Sequence, residues 1–211
     1  MAGVVLRLTR DHLHGGTRTV WPPMPRILYV LEGAPRVEGK DVAASGAWHG
    51  VGACTLEVGA TDATVLRFEL VRDETAAGLP PLLAQPMRLD PTAAYLMRCD
   101  RVDFDLGAEA LPHRHQGGGI RCLLSGALEL RVEGEPDRTL APGEAWFESG
   151  REPVYARASS TEPTSFVRCS ILPRAIRGQS SIVYVNPKDA GSKPRKYTVL
   201  VDEPIELATT R

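Results

Sequence analysis

The chain has 211 residues, enough for one large domain or two domains of about 100 residues each. Its formal net charge of −1 gives no electrostatic reason to expect nucleic acid or an anionic membrane as a partner. No apolar run approaches the roughly eighteen residues of a membrane span or the form of a signal peptide, so we expect a cytoplasmic protein. The four cysteines are widely spaced without a CxxC pair, which predicts buried free thiols.

Short β-type runs separated by turn residues extend along the whole chain. The seventeen prolines and twenty glycines are scattered, as in proteins built from many short strands. Helical periodicity of any length is missing, and only residues 73–84 are compatible with a short helix. The sequence therefore predicts an all-β protein.

Two stretches of the chain repeat each other in order. A β-rich run ending at Gly33 is followed by Arg-Val-Glu-Gly39, and a second run ending at Gly126 is followed by Arg-Val-Glu-Gly134. This repeat predicts an internal duplication. The proline-rich stretch 79–86 is the best linker because proline resists both helix and interior strand.

The duplication predicts three parts. Residues 1–85 form an N-terminal barrel and residues 86–175 a C-terminal barrel. Residues 176–211 supply further strands and a tail, which cover an edge of a barrel or of a partner subunit, because exposed sheet edges favour unwanted pairing.

Two histidines mark the candidate site in the second half. His113 and His115 begin a strand and point to the same side, because side chains alternate with period two. Two imidazoles on one face are half of a metal-binding cluster. Glu148, on the strand after a Pro-Gly turn, is the best candidate for a third ligand.

Four other residues are candidate ligand contacts. Arg121 alternates with Gly119 and can bind a carboxylate bidentately if it faces inward, or pair with Glu129 if it faces outward. Gly119 either permits close backbone approach or leaves room for a ligand. Trp146 and Tyr155 either line the pocket or are ordinary core aromatics.

The order His113-x-His115, Gly126, Pro142-Gly143 resembles the two signature motifs of the cupin superfamily. The resemblance implies two jelly-roll β-barrels in one chain. Two motif positions differ: Gly119 stands where the family has a Glu, and Val154-Tyr155 stand near the place of the second motif's His.

The first half lacks the motif residues altogether. Counting back from Gly33, the ligand positions fall on Val20, Pro22 and Arg26, none of which suits a divalent cation. We therefore expect no metal in the first barrel.

The resemblance implies a cupin-type protein that binds a small, anionic organic molecule in the second barrel. A divalent metal (Fe, Mn, Ni or Zn) held weakly by His113, His115 and Glu148 is compatible with this function. One alternative is a metal-dependent cupin enzyme of the dioxygenase, isomerase or decarboxylase class. The other is a structural protein with vestigial pockets, and a homodimer is expected in each case.

Overall fold

A computed structural model describes residues 3–72, 80–192 and 195–207, and within these ranges the protein is built almost entirely of strands, as the sequence predicts. The first compact unit comprises the described residues up to Thr92 with Leu207, and the second comprises those from Ala93 to Glu206. Leu83–Met87, which spans the predicted division at residue 85, is a strand of the first unit. Of the segment compatible with a helix, residues 73–79 lie outside the described ranges.

The described residues of the first unit contain nine strands: β1 (Val4–Leu13), β2 (Arg18–Trp21), β3 (Arg26–Glu32), β4 (Arg36–Val37), β5 (Lys40–Asp41), β6 (Ala47–Gly50), β7 (Cys54–Glu57), β8 (Ala63–Val71) and β9 (Leu83–Met87). One sheet has the order β6-β3-β8-β1-β9 and the other has the order β2-β7-β4-β5. The strands of both sheets pair in antiparallel fashion.

The second unit, over the part that the structure describes, contains ten strands and two short 3-10 helices. The strands are β10 (Tyr95–Phe104), β11 (Glu109–His115), β12 (Gly119–Ser125), β13 (Leu128–Val132), β14 (Arg138–Leu140), β15 (Ala145–Glu148), β16 (Val154–Ala158), β17 (Thr164–Pro173), β18 (Ile182–Tyr184) and β19 (Arg195–Ile205). The helices are η1 (Arg174–Ile176) and η2 (Pro187–Gly191). The two sheets have the orders β15-β12-β17-β10-β19 and β14-β13-β16-β11-β18.

The two units repeat one topology, that of a jelly-roll barrel made of two antiparallel sheets. The order β6-β3-β8-β1 corresponds strand for strand to β15-β12-β17-β10. The pairing also has the same irregularity in both, a register shift at residues 30–32 and at residues 123–125. Gly33 and Gly126 follow these shifts with left-handed φ of 81° and 71°. The predicted fold of two jelly-roll barrels in one chain is confirmed.

Each barrel has its own apolar core. In the second barrel this core includes Phe104, Phe166 and Trp146, with the Trp146 and Phe166 ring centroids 5.3 Å apart. The four cysteines are buried and free. No helix among the described residues is long and apolar enough to cross a membrane.

Candidate functional site

His113 and His115 lie side by side inside the second barrel. Both are on the inner face of β11, at 5% and 8% exposure, and their ring centroids are 4.9 Å apart. Nδ1 of His113 lies 2.7 Å from the carbonyl oxygen of Leu111. The carbonyl can only accept, so Nδ1 carries the proton and Nε2 of a neutral His113 presents a lone pair. Burial is the main cause that lowers the pKa of His113.

His115 is bound by protein groups on both ring nitrogens. Its Nε2 lies 3.2 Å from Oε2 of Glu148, and its Nδ1 lies 3.4 Å from Oγ of Ser181. Burial lowers the pKa of His115 to about 3 although the nearby carboxylate opposes the shift. The imidazole is therefore neutral near pH 7, with the Nε2 proton donated to Glu148 and Nδ1 accepting from Ser181.

Glu148 is held as a carboxylate by three neighbours. Its Oε1 accepts from the Trp146 indole at 2.8 Å, and its Oε2 lies 2.7 Å from Nη2 of Arg121 and close to His115. The contact with Arg121 is an ion pair without hydrogen-bond geometry at Nη2. Burial raises the pKa of Glu148, but the Arg121 cation and the donors from His115 and Trp146 outweigh it and lower the pKa overall.

Arg121 is 1% exposed and faces the interior. Nη1 donates to the carbonyl oxygen of Gly119 at 2.5 Å, which fixes the guanidinium beside Glu148. Burial lowers the pKa of Arg121 to about 10, and the guanidinium remains charged at neutral pH. The arrangement is a buried ion pair, and the outward alternative with Glu129 does not apply because Glu129 pairs with Arg157.

Further charged side chains come from strands that the sequence did not single out. Arg168 of β17 pairs with Asp100 of β10 through contacts of 3.1 and 2.8 Å. The Arg168 guanidinium lies 5.8 Å from the ring centroid of Tyr197, and that of Arg195 lies 5.5 Å from the same centroid. Nη1 and Nη2 of Arg195 are buried and have no hydrogen-bond partner among the residues that the structure describes.

These side chains surround a small internal cavity of about 20 Å³. That volume is about the room of one water molecule. Its charged part is lined by His113, His115, Arg121, Glu148, Arg168, Arg195 and Tyr197. Its apolar part includes Phe104, Phe166 and Trp146. The cavity is therefore amphipathic, because both charged side chains and aromatic rings line it.

Two of the predicted ligand contacts do not reach this cavity. Tyr155 lies between Val154 and Ala156, which do line the cavity, so its ring faces the other side of β16 and stacks under Arg131 at 5.3 Å. Gly119 leaves no room for a ligand. A Cβ there would lie 2.4 Å from the carbonyl oxygen of Cys169, so the close backbone approach is the reason for glycine.

The missed residues carried a recognisable signal. Asp100 and Arg168 are buried residues of opposite charge at directly opposed positions of β10 and β17. Opposite charges in paired buried strands indicate an interior ion pair. Arg195 and Tyr197 gave no such signal, because their strand is half exposed and its place beside β10 depends on long-range pairing.

The predicted ligand set does not fit a divalent metal in this arrangement. Nε2 of His115 donates to Glu148 and so offers no lone pair, while Arg121 places a cation on the same carboxylate oxygen. No group of three His, Cys, Asp or Glu residues with metal-binding geometry occurs in the described parts of the chain. A metal would require Arg121 to leave Glu148.

The first barrel has a network of salt bridges in its interior. Glu69 lies 2.7 Å from Nε of Arg26 and 2.6 Å from Nη1 of Arg67, and Arg67 also pairs with Asp11 at 2.7 Å. The Trp21 ring covers the guanidinium groups of Arg26 and Arg67 at 5.4 and 4.9 Å. This region is filled by mutually paired charges.

Counting motif positions from Gly33 was wrong by one residue in the first barrel. Val20 is 55% exposed, and Pro22 is also exposed. The strand pairing places Thr19 and Trp21 where the second barrel has its two histidines. The offset differs because the turns that separate corresponding strands are not equal in length.

Comparison with known proteins supports this description. A family model described as a cupin domain matches residues 100–169. No curated protein sequence matches the chain significantly. The solved structures that it resembles include a salicylate 1,2-dioxygenase from Pseudaminobacter salicylatoxidans, with 15% identity, coverage of 79% of this chain and 70% of that chain, and a TM-score of 0.55.

AerE from Microcystis aeruginosa is similar at 14% identity, with coverage of 80% of this chain and 88% of that chain and a TM-score of 0.59. A conserved protein of unknown function from Pseudomonas aeruginosa PAO1 is similar at 14% identity, with coverage of 80% and 82% and a TM-score of 0.53. At such identities the likeness concerns the fold alone. The match of the cupin domain model to residues 100–169 agrees with the His-x-His strand and the jelly-roll topology of the second unit, and this part of the chain is therefore similar to a cupin domain.

Proposed function

We propose that the second barrel binds a small organic anion, with Arg195 as the main contact for its carboxylate. The observation that carries the proposal is the pair of Nη atoms of Arg195, which are buried at the cavity without a hydrogen-bond partner in the described chain. Buried donors are satisfied in nearly all folded proteins, so this guanidinium calls for an acceptor. A carboxylate matches its two donors with two oxygens.

The charge balance around the cavity favours an anion. Arg121 is paired with Glu148, and Arg168 is paired with Asp100. The two histidines are neutral near pH 7 because burial lowers the pKa of each. Arg195 therefore adds the charge that the other groups do not offset, and an anionic ligand restores neutrality.

The apolar part of the cavity restricts the rest of the ligand. Phe104, Phe166 and Trp146 form a wall that suits a small aromatic or aliphatic group. The lone pair on Nε2 of His113 provides an acceptor for a hydroxyl of the ligand. The favoured ligand is thus a small apolar acid, with or without a hydroxyl group.

Entry of such a ligand requires movement, because the cavity has the room of about one water molecule. Arg195 and Tyr197 are the natural moving parts. They lie on an edge strand of the sheet, and Tyr197 is 38% exposed. Displacement of these two side chains opens the cavity, while the ion pairs Arg121–Glu148 and Arg168–Asp100 stay in place.

A ligand titration tests the proposal. Acetate, benzoate and salicylate are titrated against the wild type and Arg195→Met, with melting temperature and calorimetric heat as readouts. At least one acid should raise the melting temperature of the wild type in proportion to its occupancy, and Arg195→Met should lose this response. Arg131→Met is the matched control, since Arg131 also stacks on a tyrosine but lies outside the cavity.

An equal response of the wild type and Arg195→Met would contradict the proposal. So would the lack of any response to the three acids in the wild type, which would favour a structural protein with a vestigial pocket. Sedimentation velocity on the same samples tests the expected homodimer.

An enzyme is the second candidate, and the structural likeness to a salicylate 1,2-dioxygenase favours it. A metal bound by His113, His115 and Glu148 would distinguish an enzyme from a protein that only binds the acid. Metal analysis of protein purified without chelator or His tag, together with oxygen uptake in the presence of salicylate, tests this candidate. In the present arrangement Glu148 is engaged by Arg121, which is why binding without turnover is the preferred function.

A further inference from the structure

The guanidinium of Arg121 contacts Glu148, the carboxylate that the sequence predicts as a metal ligand beside His115. Oε2 of Glu148 is 2.7 Å from Nη2 of Arg121 and 3.2 Å from Nε2 of His115. One carboxylate oxygen thus faces both the imidazole and a permanent cation. All three side chains are at most 8% exposed.

From this geometry we propose that Arg121 is a resident cation that takes the place of a metal ion and excludes divalent cations from the second barrel. Two effects act together. The positive charge repels a divalent ion across a short, poorly screened distance. The ion pair also keeps Glu148 ionised as an acceptor for the Nε2 proton of His115, so both potential ligands are already occupied.

The first barrel provides an internal comparison. The pairing of β3 with β6 places Leu28 opposite Trp48, as the pairing of β12 with β15 places Arg121 opposite Trp146. The same register places Gly50 at the position of Glu148. Where the arginine is absent, the glutamate is absent too.

The position of Arg121 therefore tolerates an aliphatic side chain in this architecture. Leu28 occupies it in a buried setting beside Trp48, within the apolar core of the first barrel. Arginine and glutamate are present together in one barrel and absent together in the other. This is the pattern expected if the arginine serves to neutralise and occupy the glutamate.

Removal of the arginine should create a metal site. Arg121→Met keeps the length and apolar stem of the side chain and removes the charge. Nε2 of His115, Nε2 of His113 and the freed Glu148 oxygen then supply two nitrogens and one carboxylate, a donor set that suits Co²⁺ and Zn²⁺. The measurement is a titration with Co²⁺ alone, followed by its visible absorption and by melting temperature.

The expected result is saturable Co²⁺ binding by Arg121→Met at an affinity at least about a hundredfold above that of the wild type, because the like charge has been removed. Arg121→Lys keeps a cation and should remain unable to bind. Arg121→Met combined with Glu148→Gln should lose the gained site.

Two results would overturn the inference. One is a folded Arg121→Met protein that binds Co²⁺ no better than the wild type. The other is saturable Co²⁺ binding by the wild type that His113→Ala abolishes, and this measurement decides the matter even if Arg121→Met does not fold. Titration of the same proteins with benzoate reports on Arg195 separately, so a failure here is distinguishable from a failure of anion binding.

Discussion

The buried charges of the second barrel depend on one another in pairs. Glu148 and Arg121 are each almost fully buried and lie 2.7 Å apart. Desolvation of two such ions is costly, and their mutual attraction offsets that cost only while both are present. The effect of a substitution here is therefore set mainly by the charge that remains.

Replacement of Glu148 by Gln should lower the free energy of unfolding by about 3–5 kcal/mol, because Arg121 is left as an uncompensated buried cation. Adding Arg121→Met to this variant should recover most of the loss, since both charges are then gone. Urea unfolding of the two variants and of the wild type is the measurement. A double variant no more stable than Glu148→Gln would contradict the pairwise account.

Gly119 permits a second prediction, because it stands where the cupin motif has a Glu. A Cβ at this position would lie 2.4 Å from the carbonyl oxygen of Cys169 and 2.8 Å from Cα of Ser170. Restoring the motif with Gly119→Glu should therefore destabilise the barrel by several kcal/mol without creating a metal site.

Gly52→Ala is the matched control, since nothing lies within 4 Å of a Cβ there. The two variants are compared by thermal unfolding and Co²⁺ titration. A stable Gly119→Glu protein that binds Co²⁺ would show that β12 and β17 can separate at low cost.

At the scale of single residues, the sequence predicted the orientation of side chains better than it predicted which groups they contact. The shared strand face of the two histidines follows from the period of two, which depends only on local geometry, whereas the sequence left open whether Arg121 faces inward or pairs with Glu129. The occupation of Glu148 by Arg121 depends on which strands are adjacent, and the sequence does not contain that information locally. The same limit explains why Arg195 was missed.

Among the elements, the C-terminal segment is held to the second barrel by the pairing of β19 with β10 and by the side chain of Arg98. Its Nε and Nη2 contact Asp202 at 2.8 and 2.9 Å, Nη1 donates to the carbonyl oxygen of Gln179 at 2.7 Å, and Nη2 also reaches that of Ile176 at 3.1 Å. One buried side chain on β10 thus joins β19 to the turn after η1. This segment also carries Arg195 and Tyr197.

Arg98→Lys should loosen this segment, because an ammonium group cannot make the four contacts of the planar guanidinium. We expect faster amide hydrogen exchange over residues 176–205 and little change over β12 and β13. Affinity for the organic acid should fall as well, since Arg195 loses its fixed position. Arg101→Lys is the control on the same strand, where the arginine pairs with the partly exposed Asp103. Equal exchange in both variants would contradict the role of Arg98.

The predicted positions of strands and turns agreed with the structure where the sequence contains characteristic turn residues. The repeated Arg-Val-Glu-Gly sequences do mark equivalent turns, and Gly39 and Gly134 both have left-handed φ, 76° and 85°. Pro86 stands in β9, at the edge of its sheet, where a missing N–H is tolerated. The prediction of ligand positions in the first barrel failed because a fixed offset ignores a one-residue difference in turn length, which reverses the face of every side chain.

For the whole molecule, the two barrels share one strand topology and have different interiors. The second barrel keeps two histidines and a small cavity, whereas charges in the first barrel are paired with one another beneath Trp21. The sequence predicted this division, since the first half lacks the motif residues. It did not predict the ion network around Glu69, because strong pairing of buried charges becomes visible only when β1, β3 and β8 are brought together.

That network predicts how acid affects the first barrel. Burial raises the pKa of Glu69, but the cations of Arg67 and Arg26 outweigh it and lower the pKa below the usual 4.5. Below about pH 4.5 the unfolded chain then binds more protons than the folded one, so stability is complete above this pH and falls as the pH decreases. Glu69→Gln cannot titrate at this position.

The Glu69→Gln variant should be less stable than the wild type by about 3–5 kcal/mol at neutral pH, because Arg26 and Arg67 lose their shared partner. Below about pH 4.5 its stability should depend less on pH than that of the wild type, so the two curves converge. Urea midpoints measured over the acid range test both statements. Glu57→Gln, which removes an exposed partner of Arg18, should follow the wild type throughout. Parallel curves for Glu69→Gln and the wild type would mean that protonation of Glu69 does not cause the acid sensitivity of this barrel.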